Sequence, residues 1–350
     1  MKKTLLESFN NHDNDYSEEE KKISATFGNL IGDEKCEIAQ EKNPNISMSI
    51  ILPVYKWNRL WMVIESIIQQ QYRNFEIIIV DDCPSDSSYN HMKNMWNTDI
   101  DIKYVRHSSN HGRPYTRNTW IALADWEAII SLDQDMIIEP QFTKKMGILQ
   151  EHFANAIITW FKDNIEISDF QTQKKDKYPN IHNDWRYQQE YMDHFEIIAL
   201  QQKAEIEKRK HYLLDESDNY KKFSFGKQIW ARDLASMVIS HSLSYKRKNA
   251  LKAGGFNEHI FRGWWMEDLL FGVNMIAQWS YVIPARSVTS YHINHERHGW
   301  SREIERKEFK DNLKRYIKHC STPSSENMAP IQRRFIKDGK EKNITWYLSS

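Results

Sequence analysis

The sequence predicts an α/β protein in which a mostly parallel central sheet carries helices on its faces. Three observations support that class. Between residues 48 and 135, short apolar runs alternate with amphipathic segments, the order that builds right-handed β-α-β crossovers. Hydrophobic residues make up 40% of the 350 and aromatic ones 13%, enough for one large core with appendages. The 11 Gly and 9 Pro are about half the usual usage, which argues against a repetitive or low-complexity chain.

The elements follow in order. Residues 1–45 are acidic, and Ser17-Glu18-Glu19-Glu20 has the form of a capping box, so a helical N-terminal appendage is expected there. Met48-Ser49-Ile50-Ile51-Leu52-Pro53-Val54, closed by Tyr55, reads as a buried first strand. Leu60, Val63, Ile64, Ile67 and Ile68 then recur at i, i+3, i+4, i+7 and i+8, one face of a helix with Asn58 as candidate cap. A second strand over 75–80 is halted by Asp81-Asp82, a third spans 102–105, and a helix runs over about 114–125. A fourth strand, 128–132, is halted by Asp133-Gln134-Asp135. These elements open a main domain over 46–300. Within it, residues 165–230 read as a polar and aromatic insertion with a helix from about 184 to 214. Leu269, Leu270, Val273 and Ile276 mark a later helical face, 281–284 is strand-like, and 301–350 is expected to be a charged helical tail.

Composition excludes several classes. The 48 Lys+Arg balance 48 Asp+Glu, so the basic excess of a polynucleotide-binding protein is missing and nucleic acid is not an expected partner. Cys36, Cys83 and Cys320 are odd in number and far apart, which gives no disulfide framework and fits a reducing compartment. Apolar runs such as 77–80 are far below the roughly 20 residues of a membrane helix. Met1-Lys2-Lys3-Thr4 leads into polar sequence, unlike a signal peptide. A cytoplasmic protein is expected. No G-x-G-x-x-G follows the first strand and no G-x-x-x-x-G-K-[ST] occurs, so dinucleotide and P-loop chemistry lose their main support.

In a parallel sheet, ligands sit beyond the carboxyl ends of the strands. Those ends carry Pro53 and Tyr55, Asp81 and Asp82, His107, and Asp133 and Asp135. Carboxylates gathered along one rim repel unless a cation or ligand offsets them, which marks the rim as the candidate site. Two hard oxygen donors at i and i+2 after a buried strand can grip Mg2+ or Mn2+, which completes its shell with water and substrate phosphates. The implied ligand is a diphosphate.

The ordered runs Ile50-Ile51-Leu52-Pro53-Val54-Tyr55, Ile79-Val80-Asp81-Asp82-Cys83-Pro84-Ser85-Asp86, Asn110-His111-Gly112-Arg113 with Thr116-Arg117-Asn118, and Leu132-Asp133-Gln134-Asp135 resemble family 2 glycosyltransferases of the GT-A fold. A second block contains Leu243-Ser244-Tyr245-Lys246-Arg247, Gly254-Gly255-Phe256-Asn257-Glu258 and Phe261-Arg262-Gly263-Trp264-Trp265-Met266-Glu267-Asp268. It is similar to the Gly-Gly-Phe-Asp-Glu and Gly-Trp-Gly-x-Glu-Asp motifs of bacterial chondroitin-polymerase-type and galactosyltransferase-like domains. The resemblance covers roughly residues 47–300. It implies that Asp82, with Asp81, contacts the uracil of a UDP-sugar in a pocket shaped by Pro53 and Tyr55. It implies that Arg117 and Asn118 face the donor sugar and metal, that Asp133 lies near the ribose or sugar, and that Trp264 belongs to the nucleotide-sugar site. Asp135 would ligate the metal with His292, and His295 is the reserve ligand. Asp268 would be the general base, with Glu267 helping to hold the acceptor.

Some of this can be read without the resemblance. Glu267 and Asp268 fall in the first turn of a helix, where the helix field favours the ionised carboxylate, so a base there would stay ready to accept a proton. Both could instead merely cap the helix, and Arg117 could be a surface salt bridge. His292, His295 and His298 at i, i+3, i+6 could suggest zinc, but an extended segment is not expected to bring all three to one ion. Trp265 replaces a Gly of the motif, which leaves the acceptor type open.

Together the resemblance implies a metal-dependent inverting enzyme. It would move a hexose or N-acetylhexosamine from a UDP-sugar to a hydroxyl of a glycan or lipid-linked acceptor in bacterial surface polysaccharide or glycoconjugate synthesis. Transfer to a peptide or protein side chain, or a non-catalytic sugar-nucleotide-binding module, are the alternatives. The span 301–342 holds 12 Lys/Arg against 7 Asp/Glu, so the tail could touch the anionic inner membrane surface, although a solvated helix face explains the same charges.

Overall fold

The computed structural model describes residues 42–55, 60–84, 99–167, 238–261, 266–278, 280–295, 301–322, 331, 335–341 and 344–349, together with residues 5, 184 and 235. The capping box at Ser17, the cap at Asn58, all but residue 184 of the helix expected over 184–214, Trp264, Trp265 and His298 lie outside the described residues. The described elements run β1 (Met48–Val54), α1 (Leu60–Ile68), β2 (Phe75–Asp81), β3 (Ile102–His107), α2 (Arg113–Leu123), β4 (Ala128–Leu132), β5 (Met136–Ile138), α3 (Phe142–His152) and β6 (Ala156–Ile165). They continue with β7 (Ser242–Lys246), α4 (Arg247–Lys252), α5 (Glu267–Ala277), β8 (Tyr281–Ile293), α6 (Arg302–Ser321), β9 (Phe335–Glu341) and β10 (Ile344–Ser349).

These strands form one sheet in the order β5-β8-β6-β7-β4-β1-β2-β3-β10-β9. The centre is parallel, β1 pairing with β2 on one side and β4 on the other, and β2 with β3. β7 is antiparallel to both β4 and β6. Because successive side chains point to opposite faces, each central strand feeds two cores. Ile51, Ile78, Val80 and Ile129 join the cluster under α2 and α5. Ile50, Leu52, Ile77, Ile79 and Ile130 join the other, under α1 and α3. Being covered on both faces, β1, β2 and β4 are continuous apolar runs rather than alternating ones.

The tail differs from expectation. Its helix is α6, over Arg302–Ser321, whereas β9 and β10 form an antiparallel pair, and β10 adds in parallel to β3. Net charge hid the β-branched and aromatic run Ile344-Thr345-Trp346-Tyr347, whose composition suits a strand. No helix among the described residues is long and apolar enough to cross a membrane.

The strand-like 281–284 is also longer than expected. β8 passes through Pro284 because its register on β6 jumps between Trp160/Ala285 and Phe161/Thr289, an irregularity of the kind that tolerates a proline. Beyond the jump, residues 290–292 also pair with β5, so β8 lies between β6 and the edge strand β5.

One turn packs closely against α2. Gly255 sits at φ +69, and a Cβ there would lie 2.4 Å from Asn118 Oδ1 and 2.5 Å from Ile331 Cδ1. Gly255→Ala should therefore destabilise the fold by at least the ~1–2 kcal/mol of a left-handed non-glycine residue. Urea unfolding checks this, and an unchanged midpoint would show that the turn relaxes freely.

Candidate active site

The rim expected from the strand ends is present. β1 ends beside Tyr55, which is 46% exposed, and β2 ends at Asp81. Asp82 N–H donates to Val54 O at 2.9 Å, prolonging the β1/β2 ladder by one bond. The Asp81 and Asp82 carboxylates are buried and engaged by the protein itself. Asp81 accepts from Cys83 N at 3.0 Å and from Tyr104 Oη at 2.7 Å. Asp82 lies 2.7 Å from His107 Nδ1 and accepts from the backbone N–H of His111 (3.0 Å) and Gly112 (2.9 Å). His107 Nε2 in turn lies 3.1 Å from Thr119 Oγ1. Any part these two aspartates take in uracil recognition would pass through the loop into α2 that Asp82 holds.

Gln134, the middle residue of Asp133-Gln134-Asp135, was not singled out from the sequence. Its Oε1 accepts from Tyr55 N at 2.9 Å, tying the end of β1 to the loop after β4. The interior position of the motif was the only available signal. Pro53 lies in β1 one residue before its last.

Asp135 comes together with two histidines. β5 and β8 pair with Met136 opposite His292, and Ile293 N–H donates to Asp135 O at 2.9 Å. The ladder to β6 is prolonged by Asn294 N–H donating to Ile165 O at 2.8 Å. His292 Nε2 lies 3.5 Å and His295 Nε2 3.0 Å from the same Asp135 Oδ2. The reserve candidate thus stands as close as the preferred one, and the extended segment does bring two of its histidines to one point. One ligand atom from each of the three residues lies within 4.8 Å of the others, and no second such group occurs among the described residues. Burial alone would raise the Asp135 carboxyl, but the two imidazoles against it more than offset that and hold it below the ordinary carboxylate range. Asp135 Oδ1 and His292 Nδ1 are buried with no hydrogen-bond partner. A carboxylate, two imidazoles and an orphaned buried oxygen fit a divalent cation such as Mn2+.

A second cluster lies on α2 and α5. Arg117 Nη1 donates to Asp268 Oδ1 at 2.7 Å and to Glu267 Oε1 at 3.1 Å. Arg117 is buried, so it is an internal ion pair and not a surface salt bridge. Asp268 keeps 23% of its side chain exposed against 2% for Glu267. Both residues sit in the first turn of α5, whose cap residue Met266 adopts the left-handed φ 70. The helix field does not keep Glu267 ionised as expected: burial, with the adjacent Asp268 charge, pushes its carboxyl up to about 7 against the opposing pull of Arg117. Its Oε2 is buried without a partner. Asp133 links the two clusters. Burial and the Asp135 charge raise its carboxyl, Arg113 and Arg117 act against them, and Asp268 adds to the rise. Arg113 is a second cation of this cleft that the sequence reading quoted without a role.

Asn118, expected to face the donor sugar and metal, has its amide engaged by the protein itself. Its Nδ2 donates to Phe256 O (2.7 Å) and Glu258 Oε1 (2.6 Å), and its Oδ1 accepts from Phe256 N (2.8 Å). Its amide serves the Gly254-Gly255-Phe256 turn.

The sheet order and the carboxylate-lined rim define a GT-A domain. The chain belongs to glycosyl transferase family 2, whose family model matches residues 49–248. Glycosyltransferase GlyG of Streptococcus pneumoniae is 27% identical over 113 residues, 32% of this chain and 38% of that protein. WcaA of Escherichia coli, a glycosyl transferase named for colanic acid biosynthesis, is 36% identical over 98 residues, 27% of this chain and 34% of that protein. The match thus spans little more than a third of these curated relatives. The solved structure of GalNAc-T7 with UDP, GalNAc and Mn2+ shares the fold at 13% identity and a TM-score of 0.52, over 80% of this chain and 48% of that one.

Replacing either His292 or His295 by Ala should weaken Mn2+ binding by at least about tenfold, as loss of one ligand from a three-residue set implies. Titration calorimetry with Mn2+ reads this directly. Unchanged affinity in His295→Ala would remove that residue from the set.

Proposed function

We propose that this protein is a metal-dependent glycosyltransferase that moves a hexose or N-acetylhexosamine from a UDP-sugar to an acceptor hydroxyl with inversion. The observation that carries this reading is the convergence of Asp135, His292 and His295 beside a cleft that also holds Arg117, Glu267 and Asp268. Asp133 is influenced by charges from both groups, so donor and acceptor chemistry would share one cleft.

Asp268 is the more open of the two carboxylates and lies against Arg117, so it suits a base that must meet an incoming hydroxyl. It takes the acceptor proton as the acceptor oxygen bonds to the anomeric carbon and the bond to the diphosphate oxygen breaks, releasing UDP. A single in-line displacement inverts that carbon. Mn2+ or Mg2+ held by Asp135, His292 and His295 would supply Lewis-acid stabilisation of the departing diphosphate. Glu267, its carboxyl raised to about 7 by burial and the Asp268 charge, is only partly ionised near neutrality and so competes less with Asp268 for Arg117. Pro53 and Tyr55 are assigned to the uracil end of the donor site, with the buried Asp81 and Asp82 acting there through the backbone they hold. Asp133 is assigned to the sugar or ribose, and Trp264 to the same donor site. The name of WcaA supports a surface-polysaccharide acceptor, glycan or lipid-linked.

The test is UDP release from a panel of UDP-sugars with Mn2+ and with chelator, beside Asp135→Asn and Asp268→Asn. Release with one sugar, lost with chelator and lowered at least about a hundredfold in both variants, is expected for loss of a metal ligand or a base. Full release in the presence of chelator would overturn the metal assignment, and a retained α-linkage in the product would overturn inversion.

A further inference from the structure

We infer that Asn118 is a positioning residue for the carboxylate pair: by clamping the Gly254-Gly255-Phe256 turn it seats Phe256 beneath Arg117, and Arg117 in turn sets Glu267 and Asp268. This rests on the reaction proposed above, and it gives Asn118 a role different from the donor and metal contact that the family resemblance implies.

The chain of contacts is continuous. Asn118 closes both hydrogen-bonding groups of Phe256, accepting from its N–H at 2.8 Å and donating to its C=O at 2.7 Å. That pairing needs an amide, because one end must accept and the other donate. Gly255 brings the backbone close enough, since any Cβ there would meet Asn118 Oδ1 at 2.4 Å. The Phe256 ring, fixed at its backbone, stacks on Phe271 of α5 at 4.2 Å and 12°. The guanidinium of Arg117 lies over the Phe256 ring, 5.2 Å from its centroid, within cation–π range. Phe256 thus touches both Arg117 on α2 and the helix that carries Glu267 and Asp268. Asn118 follows Arg117 directly in α2, so one helical turn supplies both the cation and the clamp that holds its aromatic seat.

The experiment compares Asn118→Ala, Asn118→Asp and the double variant Asn118→Asp/Glu258→Gln with the wild type in the full chain. Asn118→Asp loses the donor to Phe256 O and places a carboxylate against Glu258, while Glu258→Gln removes that repulsion and restores a donor. Three readouts are taken. Turnover of the UDP-sugar should fall about tenfold to a hundredfold in both single variants, the cost of misplacing a reacting group by about an ångström, with UDP affinity in Mn2+ within about twofold of wild type. The double variant should recover part of the turnover. Arginine modification by phenylglyoxal, mapped by mass spectrometry, should label Arg117 in the single variants and spare it in the wild type. The labelling does not depend on turnover, so it still decides the positioning claim if no UDP-sugar is consumed. UDP affinity falling in step with turnover would return Asn118 to the donor site. Unchanged protection of Arg117 in folded Asn118→Ala would overturn the inference outright.

Discussion

Arg117 is a single buried cation facing a surplus of negative charge, and the arrangement of the cleft follows from how that surplus is shared. Its Nη1 serves Asp268 and Glu267 together, and Asp133 lies within its field. Removing one partner of such a buried pair typically costs about 3–5 kcal/mol, because the remaining charge stays behind in a low dielectric. The pair therefore fixes α2 against α5. With two carboxylates and one guanidinium, the more buried acid is the one driven towards its neutral form, and that acid is Glu267. Asp268, nearer the guanidinium and the solvent, is left in a position to act on a hydroxyl.

The metal end of the cleft depends on backbone topology. β8 runs along β6 through a register shift near Trp160 and pairs on its other side with β5, where His292 lands opposite Met136. That shift places an imidazole beside a carboxylate from a loop more than a hundred residues earlier in the chain. Two residues beyond the strand end, His295 reaches the same oxygen. An oxygen and two nitrogens around one point form a donor set suited to a divalent cation, and the two imidazoles hold Asp135 ionised.

Much of this frame was legible in the sequence because β1, β2 and β4 are buried on both faces and so appear as unbroken apolar runs stopped by Pro or Asp. The rim carboxylates followed from where those runs stop. What escaped notice depended on long-range pairing. β10 reads as part of a charged tail until β3 is seen to offer it an edge, and Pro284 hides the length of β8. Arg117 was recognisable as a site residue, but its burial was not, because nothing local distinguishes an inward arginine from a surface one. Asn118 was assigned to the donor through a motif, whereas its partners lie about 140 residues away in a turn that only the folded chain brings near.

The sharing of Arg117 drives Glu267 towards its neutral form, and this makes the stability of the fold depend on pH. A carboxyl raised from the ordinary 4.5 to about 7 in the folded state keeps a proton that the unfolded chain has already released. Its contribution is therefore full at low pH and is lost as pH rises through that window. Urea unfolding of the wild type and of Glu267→Gln should be compared between about pH 5 and pH 8, where the difference in proton uptake approaches about one per molecule. The variant should gain stability relative to the wild type as pH rises towards about 7, and the difference should then level off. Parallel curves across the whole range would mean that Glu267 ionises like a surface carboxylate, and would contradict the account.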